Sequence, residues 1–242
     1  MSGEPPQSPD GDMLQNTFCH VPGVGPKTER KLWEAGLLSW QHVCDSPELP
    51  ISRSRAASVT RHVEESIARL AGGDAGYFYG LLPSSEQWRL FPEFRDSVAY
   101  LDIETTGLGA PDDYITTIAL YDGRDVRWYV HDENLDEFVR DVQRYDLIVT
   151  YNGKTFDVPW LRDRLGAPMG QAHIDLRYVL AGLGLRGGLK GCERQLGIQR
   201  GELDGVDGFF AVLLWRHYLA TADRRALETL LAYNIADTVN LE

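Results

Sequence analysis

Apolar residues recur at intervals of three and four through TERKLWEAGL and RAASVTRHVEESIARL, a period that predicts amphipathic helices between about Phe18 and Leu70. AGGDAG, at 71–76, breaks that period. The stretch that follows, YFYGLLPSSEQWRLFPEF, is aromatic and carries two prolines, so an ordered strap is expected, with Trp88, Phe91 and Phe94 filling a core. Beyond Asp96 the period shortens to two. VAYLDIET, YITTIALY and VRWYVH read as three strands, the last two joined across Asp122-Gly123, a turn signal for an antiparallel hairpin. A helical NLDEFVRDVQRY, an apolar DLIVTYN, a helical DVPWLRDRLG and a strand-like AHIDL come next, and helices run to the end. Three antiparallel strands followed by alternating strands and helices predict an α/β domain over 97–242, a mixed sheet flanked by helices. The expected organisation is a mobile tail at 1–16, a small all-α domain at 17–72, a strap at 73–96 and the α/β domain.

Composition narrows the class. A hydrophobic fraction of 43% with 10% aromatics supports a sizeable core in 242 residues. MSGEPPQSPDGDMLQN, by contrast, has little to bury, which is the reason for expecting mobility there. With no apolar run of about 18 residues and a polar start, neither a membrane span nor a signal peptide is expected, and the expected location is cytoplasmic. Cys19, Cys44 and Cys192 are odd in number and far apart, which fits buried reduced thiols rather than a disulfide framework. Cys19-His20 and His42-x-Cys44 match no standard zinc-finger spacing. The net charge of −12 counts against a nucleic-acid partner unless the acid is localised. Most of the excess lies in 97–242, where carboxylates can serve as metal ligands, and 17–72 is near neutral.

The candidate chemistry starts from Asp102 and Glu104. Two residues apart on a strand, they project from the same face of a segment that Val98, Tyr100, Leu101 and Ile103 mark as core. Like charges held that close need a cation between them or a shared proton. Asp157 follows the Asn152-Gly153 turn at the start of a helix, where capping is the ordinary job for an Asp. Tyr233 and Asp237 lie one turn apart on a helix whose neighbours Leu227, Leu230, Leu231 and Val239 are apolar.

These three clusters together resemble a known family. LDIETTGL looks like the first motif of the DEDD 3′→5′ exonucleases of the ribonuclease H-like superfamily. Asn152-x-x-x-Phe156-Asp157 looks like the second, and Tyr233-x-x-x-Asp237 like the third in its tyrosine form, DEDDy. HIDLRYVL and GLKGCERQLGI are similar to stretches of a YprB-like bacterial subgroup, to which Asp175 also belongs without an assigned role. The resemblance implies a ribonuclease H-like fold and phosphodiester hydrolysis by two ions, Mg²⁺ or Mn²⁺, as hard oxygen ligands favour. It implies that Asp102 bridges both ions, that Glu104 and Asp237 complete the site that activates water, and that Asp157 holds the second ion. Tyr233 would orient the attacking water. Thr105, Leu108, Asn152 and Lys190 would contact the strand, DNA or RNA, at a single-stranded 3′ end. Arg186, Arg194 and Lys154 are further cations that could meet phosphates.

HVPGVGPKTERKLWEAGLLSWQHV resembles a helix-hairpin-helix motif. Gly23 and Gly25 would allow a tight turn whose N–H groups, at the start of the helix after Pro26, bind a phosphate beside Lys27. Two other readings stay open at this point: a structure-directed endonuclease on the same fold, and a nucleic-acid-binding scaffold without catalysis. The full set of four acids and a tyrosine favours catalysis.

Overall fold

The computed structural model describes residues 13–46, 48–201 and 208–242, and a boundary between Asp96 and Ser97 divides it into two compact units. Of the expected tail, 1–12 lie outside the described residues. Its last three residues are not a tail: Leu14–Asn16 forms a 3₁₀ turn, because Leu14 is apolar enough to bury fully and its N–H donates to Glu93.

The first unit is helical, with α1 (Pro26–Glu34), α2 (Trp40–Asp45), α3 (Arg53–Ala71), α4 (Ala75–Leu81) and α5 (Phe91–Phe94). The stretch read as a strap is thus α4, a 3₁₀ segment (Ser84–Leu90) and α5, and it belongs to this unit. Phe94 is buried there as expected, whereas Trp88 is exposed, with the Arg89 guanidinium 5.4 Å from its ring centre. Phe18, Leu32, Trp40, Val59, Val63, Phe78 and Leu90 form the interior. Glu29 is buried among them, accepting from the Thr17 hydroxyl at 2.6 Å and the Phe18 N–H at 2.7 Å and pairing with Arg89 at 3.3 Å. His20 is a core histidine: its Nε2 lies 2.9 Å from Ser66 Oγ, and burial pushes its pKa down to about 4. Cys19 and Cys192 are buried, but Cys44, expected to be so, is exposed. Gly23 adopts a left-handed φ of 82°, and Gly25 precedes α1, with Pro26 at its first position and Lys27 exposed.

The second unit is a five-stranded mixed sheet in the order β3-β2-β1-β4-β5, from β1 (Val98–Thr105), β2 (Ile115–Tyr121), β3 (Val126–Val130), β4 (Leu147–Thr150) and β5 (Ala172–Asp175). β1, β2 and β3 pair antiparallel, while β4 and β5 run parallel to β1 and to each other. Helices α6 (Glu137–Asp141), α7 (Asp157–Leu165), α8 (Leu176–Gly182), α9 (Gly188–Leu196), α10 (Gly208–Thr221) and α11 (Arg224–Val239) surround it. Period-two alternation sorts β1 into two faces. Ala99, Leu101 and Ile103 pack with Ile118, Leu120, Ile148, Phe138, Trp160 and Leu161 in the main core. Asp102 and Glu104 therefore point to the other face, over which α11 lies, packed on β1, β2 and β3. A second cluster, Val130, Ala211, Trp215, Leu227, Leu230 and Tyr233, fastens α10 and α11 to that side. Among the described residues, no helix is long and apolar enough to cross a membrane.

Candidate metal centre and active site

The site is built where β1 ends. A register shift between Glu104 and Thr105 interrupts the pairing with β2, so the strand delivers both acids and then turns away. α11 supplies the opposing groups, since Tyr233, Asn234 and Asp237 fall within one arc of the helix, and all three are buried. One carboxylate oxygen from each of Asp102, Glu104 and Asp237 lies within 4.8 Å of the others. Among the described residues this is the one group of three or more His, Cys, Asp or Glu side chains so arranged. The described cysteines and histidines of the first unit form no such group.

Asp157 joins the same cavity from another element. It is the first residue of α7, not its cap; that place belongs to Phe156, which makes no capping hydrogen bond. Its carboxylate instead accepts the Ile103 N–H at 3.2 Å, which ties α7 to the middle of β1 between the two motif acids. The second-motif turn is held by Asp175, whose carboxylate accepts from the N–H groups of Asn152 (2.7 Å), Lys154 (3.0 Å) and Arg177 (3.1 Å). Asp175 thus caps α8 and fixes the turn at once. Asn152 takes a left-handed φ of 68°, and its side-chain oxygen accepts from the Thr155 hydroxyl and from Arg177.

Burial and mutual repulsion set the electrostatics. Burial first, and then the charges of Asp237, Asp157 and Glu104, raise Asp102 well above the usual carboxylate range. Glu104 is raised well above it too, by burial and by Asp237 and Asp157, with Lys190 opposing. Asp157 is pushed up to about 7, chiefly by burial. Asp237 is raised by burial, against the pull of Arg200 and a hydrogen bond from Tyr233. Tyr233 is raised by burial and by the acids around it, so its hydroxyl stays protonated and donates to Asp237. Three hard oxygen donors forced together, with Asp157 lining the same cavity and all four held above their ordinary pKa, are what a divalent cation relieves; the donor set suits Mg²⁺ or Mn²⁺.

Several residues of the site escape a motif-based reading. Asn234 is fully buried and donates from Nδ2 to Asp102 Oδ2 at 2.7 Å and to the Asp102 carbonyl at 3.2 Å, while its Oδ1 accepts from Thr117 at 3.0 Å. A polar residue inside LLAYNIADTV was the available signal. Arg200 is buried between Glu193, which it meets through Nε and Nη2 at 2.6 Å each, and Asp237. Asn240 also donates to Glu193, at 2.8 Å. Lys190, expected on the strand, stands 4.5 Å from the centre of the Tyr233 ring.

A cavity of about 540 Å³ opens over the acids, lined by Asp102, Glu104, Asp157, Thr105, Leu108 and Asn152 and, from α10, by Phe209, Val212 and Arg216. Leu108 is 94% exposed and Phe209 71%. The Thr105 hydroxyl donates to the Gly107 carbonyl at 2.6 Å, and Asp113 accepts from the N–H groups of Gly109 and Ala110, so the loop carrying Leu108 is braced from within. Gly23, Gly25 and Lys27 belong to the first unit and are not among the residues that line this cavity.

Residues 99–242 match the family model described as RNase_H superfamily. No curated protein matches the chain. Among solved structures, that of the family B DNA polymerase from the hyperthermophilic archaeon Pyrobaculum calidifontis is similar at 23% identity, with a TM-score of 0.47, over 60% of this chain. The present chain spans 23% of the length of that polymerase chain. The family match covers more than half of the chain and takes in β1 through α11, and the chain therefore belongs to the RNase_H superfamily.

Proposed function

We propose that the chain is a metal-dependent nuclease that removes nucleotides from a single-stranded 3′ end of DNA or RNA, in the tyrosine form of the DEDD group and near its YprB-like branch. The observation that carries this reading is the meeting of the Asp102, Glu104 and Asp237 oxygens within 4.8 Å on a ribonuclease H-like sheet. Two divalent ions bound there, Mg²⁺ or Mn²⁺, would supply Lewis-acid activation of water and neutralise charge on the attacked phosphate. Asp102, Glu104 and Asp237 would hold one ion, with Asp102 and Asp157 reaching the second.

The remaining work falls to the chain's own groups. Asn234 holds the Asp102 carboxylate in its rotamer from one side, leaving the other oxygen for the cavity. Tyr233, kept protonated, presents a hydroxyl that orients the water through a hydrogen bond. Leu108 and Phe209, both exposed and both lining the cavity, offer apolar surface to the terminal bases, and the backbone at Thr105 and the Asn152 turn meet the 3′ nucleotide. Lys190 adds positive charge beside Tyr233. In the first unit, the Gly23 and Gly25 turn and Lys27 would grip the strand's phosphates as a helix-hairpin-helix does.

The test is digestion of single strands labelled at the 5′ end, with Mn²⁺ and with EDTA. Stepwise shortening from the 3′ end in Mn²⁺ is expected. Internal cuts would make it an endonuclease, and retention of the intact strand a binding protein.

A further inference from the structure

We propose that Arg216 anchors a phosphate of the bound strand other than the one hydrolysed, an inference that rests on the nuclease reading above. The cavity has a strongly acidic side, with Asp102, Glu104 and Asp157, and an α10 side on which Phe209, Val212 and Arg216 fall at spacings of three and four. That spacing sets the three side chains in one stripe, about 10 Å long at the helical rise. The Arg216 guanidinium is the one cation lining the cavity among the described residues. It is exposed and makes no hydrogen bond or ion pair with any other described residue.

Neighbouring arginines are engaged. Arg200 is locked between Glu193 and Asp237, Arg177 donates to Asn152, and Arg164 donates to the carbonyls of Pro111 and Ala110 at 2.9 and 3.0 Å. A strand entering the cavity carries several phosphates into a field made negative by the acids, and ions at the acid cluster can neutralise only the one in reaction. The next phosphate along requires its own counter-charge. A guanidinium suits it, because its planar fork pairs with two phosphate oxygens at once. Arg216 stands on α10, outside the acid cluster of β1 and α11, and is assigned a phosphate other than the scissile one. The apolar residues of the same stripe favour a single strand, whose bases are free to lie on them.

The full chain carrying Asp102→Asn, so that the strand survives, is titrated with a fluorescent single strand across a salt series and followed by anisotropy. Arg216→Met in that background should weaken binding about tenfold and make the salt slope shallower by about 0.7, the loss of one phosphate contact on a single strand. Arg216→Lys should keep the slope and lose part of the affinity. Strands with one neutral methylphosphonate at each position in turn should show one linkage, away from the cleaved bond, whose neutralisation weakens the parent but not Arg216→Met. With Asp102 intact, Mn²⁺ uptake should be the same in the full chain, in Arg216→Met and in Arg216→Lys, since no metal ligand changes. Equal affinity and slope for the parent and Arg216→Met would overturn the proposal, as would a sensitive linkage at the scissile phosphate or a loss of Mn²⁺ uptake in Arg216→Met. A chain with Asp102 intact that neither binds nor shortens the strand in Mn²⁺ would instead bring down the nuclease reading itself.

Discussion

Asp102 is oriented by Asn234, a side chain with no carboxylate to offer a metal. Asn234 spends both polar ends, one on Thr117 and one on Asp102, so its loss leaves a buried hydroxyl without its partner and frees the carboxylate to rotate. Asn234→Ala is expected to cost about 1–3 kcal/mol in denaturant unfolding and to weaken Mn²⁺ binding. Tyr233 and Asp237 separate differently. Tyr233→Phe should keep Mn²⁺ affinity and lower single-turnover cleavage by about 10²- to 10³-fold, while Asp237→Asn should weaken metal binding itself; calorimetry and quenched-flow rates distinguish them. The acids also predict a pH dependence. A carboxyl whose pKa is higher in the folded chain than in the unfolded one favours folding while it is protonated. That contribution is full below the ordinary carboxylate pKa of about 4 and is lost as pH rises through the folded value, about 7 for Asp157. In metal-free buffer, stability should therefore fall from about pH 4 to about pH 7 in denaturant melts, and Asp157→Asn should flatten part of the fall.

Two loops hold the motif residues in place, and in each a Cβ on one glycine would press on a neighbouring side chain. A Cβ on Gly107 would stand 2.5 Å from Asp113 Oδ1 in the loop after β1. In the turn after β4, a Cβ on Gly153 would collide with Thr150, which is buried and fixed by His173 at 2.8 Å. Gly153→Ala is expected to destabilise by about 1–3 kcal/mol and to lower activity more than stability alone would, by moving the turn ahead of Asp157. Thermal melts and initial rates on one preparation check it. The strands and the same-face placement of Asp102 and Glu104 were legible in the sequence because period-two alternation reports directly which side of a sheet a residue occupies. The helices of 73–96 were not, because two prolines and a cluster of aromatics resemble an extended strap, and only packing within the first unit favours short helical turns. Arg200 was hidden for another reason: it meets Glu193 and Asp237 across 7 and 37 residues of sequence, a pairing no local period reveals. Asp175 carried a signal as a residue before a helix, but its hold on the Asn152 turn depends on β4 and β5 being neighbours.

For the whole molecule, the boundary at Asp96 and Ser97 makes the second unit a candidate for independent folding. Residues 97–242 alone should bind Mn²⁺ and cleave short strands, and should hold long ones more weakly with a shallower salt slope, since Gly23, Gly25 and Lys27 are gone. The negative charge of the chain is concentrated in this unit, and at its centre the acids are set against one another at a cost that only a cation or protons relieve. On the reading proposed above this cluster is a divalent-metal site. Its most direct test is calorimetric titration of Mn²⁺ into the full chain and into Asp102→Asn at two pH values, one on each side of about 7. Saturable binding that releases protons, tightens as pH rises and is lost in Asp102→Asn is expected. A full chain that takes up no Mn²⁺, or an Asp102→Asn variant that binds it equally well, would contradict it.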